Sequence, residues 1–151
     1  EVIMTIGGTR FLQVVRGASA ALAFTFIAGM AAPQVLAADA TGEWVRPSGS
    51  SKIRIAPCGG ALCGKLVWLR EPRKDTKNPD PAKRSRSLVG TRTVLGMKPD
   101  GANSWKGKVY NAEDGKTYTG VMTLVNDNAL KLEGCVLGGL ICKGETWKRA
   151  R

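Results

Sequence analysis

The chain has 151 residues, with 23 Lys and Arg against 12 Asp and Glu, four Cys and no His, for a formal net charge of +11. The absence of His excludes Ser-His-Asp and Cys-His nucleophile systems and argues against zinc, copper or haem ligation. So basic a chain is drawn to polyanions through fields that salt weakens, whatever its fold.

Arg10 and Arg16 precede an apolar, Ala-rich run from Gly17 to Ala32, and small residues follow around VLAADA. This is the n-region, h-region and cleavage-site order of a secretory signal peptide. Residues 1–38 are therefore expected to be removed, with cleavage after Ala37 or Ala38, leaving residues 39–151 as a single domain. The run is shorter than the roughly 20 apolar residues of a spanning helix. The mature protein is expected to have no transmembrane segment and to be periplasmic or secreted.

Beyond residue 39 the periodicity is that of strands. Ile53 and Ile55 oppose Lys52 and Arg54; Trp105 and Val109 oppose Lys106 and Lys108; Tyr118, Met122 and Leu124 oppose Thr117, Thr119 and Thr123; Leu130 and Leu132 oppose Lys131 and Glu133. Such alternation marks half-buried strands. Turn signals separate them: PSGS at 47–50, Gly-Gly at 59–60, Asp-Gly at 114–115, NDN at 126–128 and Gly-Gly at 138–139. Counting EWVR, KIRIAP, CGKLVWL, the run from Leu88 to Met97, WKGKVYN, KTYTGVMTLV, ALKLEGCV and ICKGETWKR gives eight strands. An all-β fold follows, with a small closed antiparallel barrel preferred because closure removes exposed edges. A two-sheet sandwich is the alternative.

Cys58 and Cys63 bracket one Gly-Gly turn, and Cys135 and Cys142 the other. Four cysteines permit three connectivities; local pairing is the simplest, since each bridge would clamp one hairpin. A four-thiolate zinc site fits the first spacing but not the second, and neither pair has the two-residue spacing of a thioredoxin-type motif.

One connection is long. REPRKDTKNPDPAKRSRS, residues 70–87, is too charged for a core and too rich in Pro for a strand. Asp80 followed by Pro81 reads as the N-cap and first residue of a helix of one to two turns, with Lys83, Arg84 and Arg86 after it. The segment is expected to cross one barrel end as an ordered lid or stopper.

Taken together, GEWVRP, PCGGALCGKLVWL, DTKNPDPAKRSRSLVG, SWKGKVYNAEDGKTYTG, LKLEGCVLGGLIC and TWKR resemble the bacterial family known as domain of unknown function 2147. The resemblance spans essentially all of the chain after residue 39. It implies a secreted or envelope protein with a lipocalin-like, calycin-type barrel and no established enzymatic activity. GEW near the start of this region and TWKR at its end are also similar to the lipocalin arrangement of an N-terminal Gly-x-Trp beside a C-terminal basic residue. On that likeness Trp44 plugs one barrel end and Arg149 lies over its ring.

Three classes of function compete. A binding module would hold a small apolar or amphipathic ligand in the barrel, with Trp68, Trp105, Tyr118 and Met122 as lining. An interaction protein would dock an anionic envelope polymer or lipid headgroup through Arg73, Lys74, Lys83, Arg84 and Arg86, joined by Lys65, Lys106 and Lys108. A carboxylate-based hydrolase ranks last: Glu43, Glu113, Asp114, Glu133 and Glu145 are scattered, with no spacing that singles out a pair. A nucleic-acid groove would interleave aromatics with cations, whereas here they alternate apart. The expectation is a protein that binds rather than catalyses, with no cofactor and no metal.

Overall fold

The computed structural model describes residues 39–151; the segment read as a signal peptide lies outside them. Eight strands follow one another: β1 (Gly42–Val45), β2 (Ser51–Pro57), β3 (Leu62–Leu69), β4 (Arg92–Pro99), β5 (Ser104–Asn111), β6 (Lys116–Asn126), β7 (Ala129–Val136) and β8 (Ile141–Arg149). Each pairs antiparallel with its sequence neighbour, and β8 returns to β1, so the sheet is a closed up-and-down barrel.

The closing seam is short. It pairs Trp44 with Arg149 and Val45 with Lys148, and the Ala150 amide adds a hydrogen bond of 2.8 Å to the Glu43 carbonyl. In such a meander the connections alternate between the two ends of the barrel. Those after β1, β3, β5 and β7 share one end; those after β2, β4 and β6 share the other with both termini of the described region.

The second end is packed. Trp44, Ile55, Val94, Met97, Met122 and Leu130 are fully buried there and in the barrel waist. The Trp44 indole donates to the Ala40 carbonyl at 2.9 Å, and the Arg149 guanidinium stands 4.2 Å from the centroid of the Trp44 ring. Arg149 also donates to the carbonyls of Thr41 at 2.6 Å and Asp39 at 2.9 Å, tying down the segment before β1.

Both disulfides are local. Cys58–Cys63 clamps the β2–β3 hairpin at the packed end, and Cys135–Cys142 joins directly paired residues of β7 and β8 at the other.

Two local expectations change. The helix after Asp80 is a single 3-10 turn, Pro81–Lys83, with the Asp80 carboxylate accepting from the Ala82 amide at 3.0 Å. The fourth strand begins at Arg92 rather than near Leu88, because the loop turns at Gly90, whose φ is 93°, and uses Leu88 as a buried anchor.

Candidate ligand cavity

At the end opposite the Trp44 plug the interior is hollow. The cavity measures about 630 Å³. Its wall is apolar in depth, where Ile53, Leu66, Val109, Leu132 and Trp147 face inward, and charged toward the opening, where Arg46, Arg73, Glu113, Lys143 and Glu145 gather. The strand period explains the gradient. Along β6 the inward positions run from Tyr118 at the opening through Gly120 to the buried Met122 and Leu124, and along β7 from Gly134 to Leu132 and Leu130. Gly134 places no side chain where its neighbours do, which leaves room beside Tyr118.

The polar groups of the wall are organised. Glu145 accepts from the Arg46 guanidinium and, at 2.7 Å, from the Trp147 indole. Tyr118 donates to Asp114; that hydrogen bond holds the Asp114 carboxyl below its usual range and raises the Tyr118 phenol. Thr93 borders the cavity, and its buried hydroxyl has no hydrogen-bond partner among the described residues. An unsatisfied buried hydroxyl of this kind costs about 1–3 kcal/mol.

Of the residues expected as lining, only Tyr118 borders the cavity. Trp105 and Met122 are inward but belong to the packed half, 7% and 0% exposed. Trp68 points outward, 43% exposed, with the Lys52 ammonium 5.7 Å from its ring. The reason is a one-residue bulge. Ile53 pairs with Leu66 but Lys52 pairs with Trp68, so Val67 has no partner and the strand changes phase. Leu69, not Trp68, then lines the cavity.

The loop cations are likewise placed differently from a free anion-binding set. Arg86 donates twice to Asp75 Oδ2, at 2.8 and 3.1 Å, and the Asp75 side chain is fully buried. Asp75 also accepts from the Tyr110 hydroxyl at 2.6 Å and from the Asn78 amide at 2.7 Å. Burial alone would raise its pKa, but these donors outweigh it and hold the carboxyl below its usual value. Tyr110, buried against the same acid, is pushed up to about 12 by desolvation and by the hydrogen bond to Asp75. Arg84 donates to the Asn78 carbonyl at 2.8 Å, Lys83 pairs with Asp80 at 2.9 Å, and Arg73 lies 3.7 Å from Glu113. Only Lys74 of the five has no ion-pair or side-chain hydrogen-bond partner among the described residues; its backbone bridges to Ser87.

The long connection is therefore a fixed cover, latched to β5 through Tyr110, and Leu88 and Arg73 are its contributions to the cavity wall. Nothing local in the sequence marks the latch, because an Asp and an Asn among cations have the pattern of a solvated loop. The carboxylates Glu113, Asp114 and Glu145 all border the cavity, while Glu43 pairs with Arg54 and Glu133 with Lys131 away from it. Among the described residues no group of three or more Cys, Asp or Glu is placed to hold a metal ion.

The profile of a bacterial family described as uncharacterised protein conserved in bacteria, DUF2147, matches residues 42–149. The chain belongs to this family. DUF2147 thus covers the whole barrel, from the first residue of β1 to the last of β8. Among solved structures the chain is similar to protein HP1028 from the human pathogen Helicobacter pylori, described as belonging to the lipocalin family. The two are 27% identical, with a TM-score of 0.67 over 75% of this chain and 84% of that one. A comparison with curated proteins finds no match. The lipocalin-like barrel of this DUF2147 member is the architecture of a binding protein.

Proposed function

We propose that this protein is an exported carrier that takes one small amphipathic molecule into the open half of its barrel, apolar part inward and polar part at the charged opening. The cavity carries the reading. Its volume of about 630 Å³ lies within the range of roughly 300–1,000 Å³ that encloses small ligands, and an apolar interior with a few convergent polar groups is the usual composition. Eight-stranded barrels are just wide enough to hold such a molecule once one end is plugged. The two disulfides favour an oxidising compartment, periplasmic or extracellular. Binding without catalysis is the simplest role for this wall, since its carboxylates are engaged by Arg46, Trp147, Tyr118 and Arg73.

The test is titration with a fluorescent fatty-acid probe, comparing the unsubstituted chain with Val109→Trp, which fills the cavity from β5. Saturable binding, abolished in the variant with its melting temperature unchanged, is the expected result. Equal binding by both chains would move the site out of the barrel. In that case the exposed lysines, which fit an anionic polymer, become the stronger reading, and loss of retention with salt would identify it.

A further inference from the structure

The β7–β8 connection is an apolar tip that projects beside the cavity opening. Leu137 and Leu140 are 69% and 85% exposed, and Val136 and Ile141, 41% and 53% exposed, continue it into the cavity wall. The tip is built to hold this form. The Cys135–Cys142 bridge closes its base, and Leu137 has a φ of 53°, the one positive value at a non-glycine among the described residues. A γ-branched residue in the left-handed region is costly, and here the side chain gains no burial in return.

We infer that this tip inserts into the surface of an anionic lipid bilayer and brings the cavity opening against it, so that an amphipathic cargo passes between membrane and barrel. The exchange step deepens the carrier reading and rests on it; the docking stands on the tip. Two observations favour lipid over a protein partner. The tip is convex and purely aliphatic, without the Trp, Tyr or Arg anchors that dominate protein interfaces, whereas an interfacial lipid layer accepts any protruding apolar group. The same end of the barrel also carries Lys74, Lys77, Lys116 and Lys143, all exposed and without an ion-pair partner among the described residues. Each lysine near an anionic leaflet adds attraction. Trp68, exposed at the end of β3 on the same rim, is a residue type that settles at headgroup level.

The experiment uses the exported form, residues 39–151, carrying Leu140→Trp, with vesicles whose acyl chains are brominated, made of phosphatidylcholine with or without phosphatidylglycerol. Bromine quenches indole emission on contact, so quenching beyond that of the unsubstituted chain reports the tip alone. We expect added quenching with phosphatidylglycerol, weaker by about fivefold or more in high salt or in phosphatidylcholine alone. Adding Leu137→Asp should lower it about tenfold, with a melting temperature unchanged or raised, because the position is exposed and Asp tolerates the left-handed φ better than Leu. No added quenching, or quenching indifferent to both lipid charge and Leu137→Asp, overturns the proposal. Probe titration without vesicles separates the two readings: quenching without probe binding removes the cargo and its exchange but leaves the docking, and probe binding without quenching removes the docking alone.

Discussion

The Tyr110 hydroxyl donates to Asp75 Oδ1 at 2.6 Å, joining a barrel strand to the long loop across 35 positions of sequence. With Asn78 and Arg86 on the other carboxylate oxygen, this contact converts a polar, Pro-rich connection into part of the cavity wall.

Truncating Asp75 strands buried donors on Tyr110 and Asn78, each worth about 1–3 kcal/mol when unsatisfied, while Arg86 is exposed enough to rehydrate. Asp75→Ala is expected to cost about 2–4 kcal/mol in denaturant unfolding. Tyr110→Phe should cost less, because the carboxylate keeps Asn78 and Arg86.

The same pair gives stability a pH dependence at both extremes. Asp75 is depressed in the folded state, so its contribution is present above the unfolded carboxyl pKa of about 3.9 and is lost as pH falls through its lower folded value. Tyr110 is raised to about 12, so the folded state retains a proton that the unfolded chain releases near 10. Its contribution is present below about 10 and fades as pH rises toward 12. Melting curves should show both losses; Tyr110→Phe should flatten the alkaline one, and Asp75→Asn the acid one.

Arg149 combines its position over the Trp44 ring with donation to two carbonyls ahead of β1. Arg149→Ala should cost about 1–3 kcal/mol, and Arg149→Lys should recover little, because an ammonium cannot reach both carbonyls in the same fork. Trp44→Ala should cost about 3–5 kcal/mol by leaving a cavity in the packed end. Probe affinity, measured at a temperature where both variants are folded, should hardly change, since neither residue lines the cavity.

The bulge at Val67 separates two tryptophans that look alike in sequence. Trp68→Ala should alter stability by less than about 1 kcal/mol, the worth of an exposed cation-π contact. Trp105→Ala, in the packed core, should cost about 3–5 kcal/mol. Equal losses in calorimetry would contradict the strand phase.

Thr93→Val removes the unpartnered hydroxyl while keeping the shape of the side chain. The empty protein should be unchanged or slightly more stable, whereas a ligand that uses the hydroxyl should bind about 1 kcal/mol more weakly. Matched melting and probe titrations of the two chains measure both effects.

The strands were legible because alternation and turn residues are local. Ile53 and Ile55, Trp105 and Val109, Tyr118 and Met122 face inward as their period dictates, and Asp114-Gly115 turns where Asp-Gly should. Trp68 departs from its period because Val67 goes unpaired, which nothing in LVWL signals; a bulge depends on the neighbouring strand. Asp75, Asn78 and Tyr110 were invisible as a set, because their burial requires the loop to fold over β5. Which inward residues pack and which line a space also escaped the period, since Trp105 and Val109 share a face yet lie at different depths.

By itself the sequence determined the all-β class, the strand sequence and the glycine turns, since each follows from contacts between near neighbours in the chain. Only the tertiary structure decided that one barrel half is filled and the other hollow, that Arg86, Arg84 and Lys83 serve Asp75, Asn78 and Asp80, and that an apolar tip stands beside the opening. Those outcomes depend on depth, phase and distant partners, which arise only when the barrel closes.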